Sequence, residues 1–441
     1  MKKLILVFSL LFLGLTLAAC NDKTKIDFTA TVPTEITVGE SFSVTAKDTD
    51  QTAIVSSKLT ITVKSGRSFI SLNGLTITGL SAGSVTITIT YTEGEKTKSK
   101  DYTFTVKAAP VVYGLPVPQT GFYMKDADII QEGTNRYLVY TTNSASGEED
   151  NVIALRKGTF TAGQGYSYGS ENVVLTPSAS GWDQYISSAT IVKGNFAYNN
   201  TDYAYLMAYQ GTDLSAETSF SIGLAVSNNP EGSWVKVGNL PVLEYDRTIY
   251  GESYTGFYAP SLVNLNKESI VRLFFTWADA YGHFSYFVDF DAANLSEIEL
   301  SGFAMAPNNG NLSTGEDVTM IPNADFAYDA VNHMFYMVKD YSPTPSREPR
   351  VATRIELARI VEAELYSAKP GLGWSSLKLY DMFDTPDTMY ERLFSATLIS
   401  DEYGHIISTS SIEIVYTVSD LEADNVDYIF SQKLLAFIYE E

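Results

Sequence analysis

From about Ile26 to Val106 the chain is written in short alternating runs: "FSVTAKD", "KLTITVKSG", "GLTITGLSAGSVTITITYTEG" and "DYTFTVK". Apolar residues at every second position, with Gly, Ser and Asp between runs, predict strands that bury one face each. Residues 26–108 are therefore expected to form an all-β sandwich. "KAAPVVYGLPVP" follows as a Pro-rich linker over 109–118.

Beyond it, the pattern repeats. "KDADIIQEGTNRYLVYTT", "SSATIVKGNFAYNNTDYAYLMAYQG", "YAPSLVNLNKESIVRLFFTW", "PNADFAYDAVNHMFYMVKD" and "FSATLISDEYGHIISTSSIEIVYTV" share one layout. A small residue or Pro is followed by Asp, Thr or Ser, then an apolar strand, a polar turn and a second apolar strand. The Asp/Thr/Ser positions are Asp128, Thr190, Ser261, Asp325 and Thr397, at intervals of 62, 71, 64 and 72 residues. Near-equal β-units of this length predict a radial array in which each sheet covers its neighbour, a five-bladed β-propeller over 119–441. The fifth unit has text for about three strands, so part of "PVVYGLPVP" is expected to supply a fourth. "GYSYG" (Gly165 to Gly169) fits a nucleophile motif, but between strands it lacks the strand-to-helix elbow that chemistry needs.

The first twenty residues read otherwise. Lys2 and Lys3, the apolar run Leu4 to Leu17, and "LAAC" ending at Cys20 have the form of a secretory signal. "LAAC" resembles a bacterial lipobox, which implies lipid on Cys20, a tether over 21–25, and a protein held outside the cytoplasmic membrane at the cell surface. Cys20 is the chain's one cysteine, so neither a disulfide framework nor a thiolate metal site is expected. A formal net charge of -22 argues against nucleic acid as a partner, because neutralising phosphates takes clustered Lys and Arg. Tyr (29) and Phe (23) are abundant, which suits strands and equally suits apolar sugar faces.

Two resemblances follow from these residues. "ITGLSAGSVTITITY" is similar to bacterial immunoglobulin-like modules, which implies a spacer. A propeller whose first inner strand opens "KDADII", with "AVSNNPEGSW" and "YAPSLV" later, resembles the family-43 glycoside hydrolases. That likeness implies an oligo- or polysaccharide partner, no cofactor beyond a structural calcium ion, and a base near Asp126. It also implies a second aspartate and an acid glutamate at matching positions of later blades, where this chain carries Asn323 and Ser395. The carboxylates expected on the same face are Glu252, the leading acid, with Asp183, Asp279 and Glu391. Asp126 stands out because its four counterparts, Ser188, Ala259, Asn323 and Ser395, are uncharged. Asp128, at the repeating position, reads as structural.

Aromatics expected on that face are Trp182, Tyr185, Tyr258, Trp277 and Tyr281, with His283 beside them. Arg347, in "SPTPSREPRVATR", offers a guanidinium fork for an acidic glycan. His333 and His405 fall in turns on the opposite face and read as turn chemistry. Three functions stay open: glycan hydrolysis, glycan binding without a working acid, and protein docking by an adhesin or scaffold.

Overall fold

A computed structural model describes residues 26–440, except 38–39, 81–82, 108–113, 163–164, 216, 281, 297, 299, 308–309, 312–319, 342–351, 367–372, 382–389, 391 and 421–426. The chain is nearly all-β and divides near residue 110 into two units. In the first unit, Glu35–Thr37, Lys96–Lys107, Gly83–Glu93 and Leu59–Ser65 form one sheet in that order. Ser41–Ser43, Thr76–Gly79 and Ile70–Asn73 form another, and Phe28–Thr31 pairs with Thr45–Asp48. The alternation is realised directly: Val85, Ile87, Ile89 and Tyr91 are buried, while the threonines between them, Thr86, Thr88 and Thr90, face outward and bond across strands to Thr103, Asp101 and Ser99.

The second unit holds five sheets. The first starts with Lys125–Glu132, Asn135–Asn143 and Asn151–Thr161, and the second with Tyr185–Tyr198, Thr201–Thr212 and Ser221–Ser227. The third is built on Gly256–Asn264, Ile270–Asp279 and Gly282–Asp291. The fourth uses Asp325–Asp329, Met334–Tyr341, Arg354–Val361 and Trp374–Asp381, and the fifth Arg392–Leu398, Ser411–Ser419 and Lys433–Glu440. Each runs antiparallel from its first strand outward, and the first strands touch in cyclic order, the fifth meeting the first. Among the described residues the fifth sheet has three strands. Residues 114–118 form no strand, in keeping with Pro116 and Pro118, which cannot donate to a ladder. Gly165–Tyr168, the segment of the false nucleophile motif, is an outer strand of the first sheet.

One end of the ring is plugged. Ser400–Asp401 pairs in parallel with Ile130 and Gln131 of the first sheet. The next carbonyls then accept backbone N–H groups from the other sheets: Glu402 from Lys193, Tyr403 from Asn264, Gly404 from Tyr328. His405 is buried, and its Nε2 lies 2.8 Å from the Asn264 carbonyl. Gly404 has φ +80°, and a Cβ there would sit 2.7 Å from the Leu262 carbonyl oxygen. No other residue fits that seat.

Candidate functional site

The opposite end of the ring stays open as a pit. Its rim is Asp126, Ser188, Ala259, Asn323 and Ser395, its wall Ala127, Ala189, Pro260, Ala324 and Ala396, and deeper lie Asp128, Thr190, Asp325 and Thr397. Each sheet thus contributes its first strand's opening residues. All five rim residues have left-handed backbone, φ 51°, 45°, 49°, 44° and 44° in that order, although none is glycine. The strand pairing slips at this point in the first, second, third and fifth sheets, the signature of a bulge that re-aims a side chain. Non-glycine residues in this region cost of order 1 kcal/mol each and persist only when the surroundings impose them.

Hydrogen bonds between sheets impose them. The Ser188 N–H donates to Thr141 Oγ1, Ala259 to Gln210 Oε1, Ser395 to Asp340 Oδ1 and Asp126 to Thr417 Oγ1. Every acceptor sits on the second strand of the preceding sheet. At the remaining step no such bond is made among the described residues; the Tyr258 hydroxyl lies within electrostatic reach of the Asn323 backbone and 2.7 Å from His283 Nδ1. Burial lowers the His283 pKa, against the charge of Asp279, and so disfavours the imidazolium.

A second tier lies two residues deeper. Asp128 Oδ2 accepts the Ile191 N–H, Thr190 Oγ1 that of Leu262, Ser261 Oγ that of Phe326, and Asp325 Oδ2 that of Leu398. The repeating Asp/Thr/Ser is therefore an inter-sheet staple. Asp128 is buried and Asp325 half-buried in the depth of the pit. Burial, then the charge of Asp325, pushes Asp128 up to about 7, and burial raises Asp325 as well.

Asp126 differs. It is half-buried at the rim, and among the described residues its carboxylate makes no hydrogen bond or ion pair. It also helps to raise Asp340, a fully buried acid that the sequence reading missed. Asp340 is pushed up to about 7, mainly by burial, while Asn323 and Ser395 bond to it. Its only signal in the sequence was a charge inside the apolar run "MFYMVKD".

The other expected site residues are spread out. Asp183 is buried against Lys236 (2.6 Å), on the outermost strand of its sheet, and against Tyr209. Glu252 is exposed beside Arg247, which is already clamped by Asp213. Asp279 ends a strand near His283, whose pKa its charge raises against the effect of burial. None of the three lines the pit. Trp182 stacks on Tyr209 at 5.6 Å and fills the space over Gly211 and Gly223. Trp277 packs edge-on to Tyr250 and Phe257. Tyr258 is buried behind the rim, and Tyr185 is half-buried where the second sheet begins. His333 lies in an exposed turn, φ 52°. Cys20, Tyr281, Arg347 and Glu391 lie outside the described residues. Among the described residues no cluster of three or more His, Cys, Asp or Glu gathers as a metal site.

No protein-family model matches the chain, and no curated protein sequence matches it. Solved structures do. An endo-arabinase from Bacteroides thetaiotaomicron is 11% identical, with a TM-score of 0.45, covering 72% of this chain and 95% of its own. The catalytic domain of a family-62 α-L-arabinofuranosidase from Coprinopsis cinerea is 12% identical, TM-score 0.47, covering 72% and 90%. An α-L-arabinanase from Cellvibrio cellulosa, solved with arabinohexaose, is 12% identical, TM-score 0.42, covering 72% and 93%. At these scores the likeness transfers no residue role to this chain.

Proposed function

We propose that the chain is a surface lipoprotein, anchored through Cys20 and spaced by an immunoglobulin-like domain, whose five-bladed propeller receives a glycan in the axial pit. One observation carries the reading: the pit's rim joins a single unpartnered carboxylate, Asp126, to an amide and two hydroxyls, Asn323, Ser188 and Ser395. A polyol is satisfied by that mixture of acceptors and donors, and a methyl from Ala259 leaves room for an apolar ring face. The deeper carboxylates and the second-strand acceptors are committed to backbone N–H groups, so they shape the pit rather than bind.

Hydrolysis is the second reading, favoured by one feature. Asp126 lies within electrostatic reach of a second carboxyl, Asp340, and glycoside hydrolysis normally uses a pair of carboxyls. In that version Asp126 is the general base. Asp183, consumed by Lys236, and Glu252, exposed beside Arg247, are ill placed as its acid because neither lines the pit.

The test is an array of neutral and acidic oligosaccharides, beginning with arabino- and xylo-oligosaccharides, read for both binding and reducing-end release. Binding of a neutral glycan without turnover supports the first reading. Turnover that falls about 10²–10⁴-fold in Asp126→Asn supports the second. If no glycan binds at all, both fail and the docking of a protein partner takes their place.

A further inference from the structure

Four of the five rim residues are held by an acceptor on a neighbouring sheet's second strand, and three of those acceptors are neutral: Thr141, Gln210 and Thr417. The fourth is a carboxylate, Asp340, only 3% exposed. We propose that Asp340 is the positioning residue of the axial site: one buried carboxylate holds two rim residues at once, Asn323 by its side-chain amide and Ser395 by its backbone, and so sets which atoms the rim offers a ligand.

The geometry is specific. Asn323 Nδ2 donates to Asp340 Oδ2 at 2.6 Å, and the Ser395 N–H donates to Oδ1 at 2.8 Å. An amide facing a carboxylate must present its nitrogen, which leaves Asn323 Oδ1 as the atom without a partner among the described residues. Beside the Ser188 and Ser395 hydroxyls, the rim then offers a ligand two acceptor-only groups, the Asp126 carboxylate and Asn323 Oδ1. A charged acceptor is shorter and stronger than the neutral ones used at the other steps. It also titrates. Protonated, Asp340 turns one oxygen into a donor: with the proton on Oδ2 the Asn323 amide must turn to present Oδ1, and with it on Oδ1 the Ser395 N–H loses its charged acceptor.

The groups that face Asp340 come from every sheet around it. Asp126 of the first sheet and burial favour the protonated form, while Arg392 of the fifth, Asn323 and Ser395 favour the charged one. The Tyr258 hydroxyl of the third sheet lies within electrostatic reach. Lys339, next in sequence, pairs with Glu356. With these opposing influences, the clamp changes state close to neutral pH.

For ligands the inference rests on the axial glycan reading, but the clamp can be tested without any ligand. The full chain, labelled with ¹⁵N at asparagine and serine, is titrated from pH 5 to 9, the Asn323 side chain being assigned by its loss in Asn323→Ser. The Asn323 Nδ2 and Ser395 N–H resonances should shift together with one midpoint near 7. In Asp340→Asn both titrations should vanish, and in Asp340→Glu they should return at a displaced midpoint. Flat resonances in the wild type, or a titration that survives in Asp340→Asn, overturn the clamp. The wild-type titration decides the matter even if Asp340→Asn does not fold. As a second arm, the tightest oligosaccharide of the array should bind Asp340→Asn about tenfold more weakly at pH 8, with the wild-type pH dependence lost. Should no oligosaccharide bind the wild type, the glycan reading falls and the resonances alone judge the clamp.

Discussion

Asp126 and Asp128 stand two residues apart and do opposite things. The bulge between them turns Asp126 to the rim, while Asp128 points to the axis and accepts a neighbour's N–H. The expectation that Asp128 is structural came from its recurrence as Asp325. That of Asp126 came from its being the one charge among five counterparts. Their places in the repeat, rim and staple, were legible because a repeat lets five copies be compared within one chain. Asp340 was not, because its weight comes from two hydrogen bonds, to Asn323 at the opening of its own sheet and to Ser395 of the next, that no sequence pattern brings together. As a binder, Asp126→Asn should weaken a glycan about 10- to 100-fold, the worth of a hydrogen bond to a charged group, with folding little changed. Titration calorimetry alongside a thermal melt checks both.

Asp128 makes a separate prediction about pH. Its carboxyl moves from an ordinary 3.8 to about 7 on folding, chiefly by burial. Between those values the folded state keeps a proton that the unfolded state has released. The associated stability is therefore full below pH 3.8 and lost as pH rises through 7. Asp128→Asn removes the charge and keeps an acceptor for Ile191. Relative to wild type it should gain roughly 1–4 kcal/mol on going from pH 5 to pH 8. Denaturant melts at the two values measure the difference; a mutant whose relative stability falls with pH would contradict the burial argument.

At the scale of elements, first strands were readable and the plug was not. Apolar pairs of strands with a polar turn announce themselves by alternation. The turn "DEYGH" looks like its neighbour "DAVNH", and sequence reading gave both to turn chemistry. The structure separates them: His333 is exposed, whereas His405 is buried and its turn bonds to the other four sheets. The difference in the text is Gly404 against Asn332. A side chain at 404 meets backbone, which cannot yield as a flexible side chain would. Gly404→Ala should therefore cost at least ~2 kcal/mol, the left-handed penalty plus the clash. Gly133→Ala is the control, also at positive φ but with open space around it. Chemical denaturation of the pair should show the larger loss at 404. The outer strands were less legible, since short edge segments such as Val235–Lys236 and Ala304–Met305 carry almost no periodic signal.

For the whole molecule, rim bonds join four of the five neighbouring pairs of sheets, and one of them closes the ring where Asp126 donates to Thr417 across 291 positions of sequence. Closure gathers the first-strand edges around one axis, where neighbouring sheets protect them, and places five strand openings at one end. The pit is a consequence of that closure, and its chemistry depends on which five residues occupy the bulges. The proposed tether adds a prediction at the same scale. If lipid on Cys20 is the anchor, Cys20→Ser should move the protein from the membrane to the soluble fraction on centrifugation; an unchanged distribution would mean that something else holds it.

The most direct measurement of the central claim is a crystal structure of the protein with the tightest oligosaccharide from the array. The account predicts a sugar seated in the axial pit, with a hydroxyl within about 3 Å of the Asp126 carboxylate and another near Asn323 Oδ1. A glycan bound anywhere else, with the pit empty and Asp126 untouched, would contradict it.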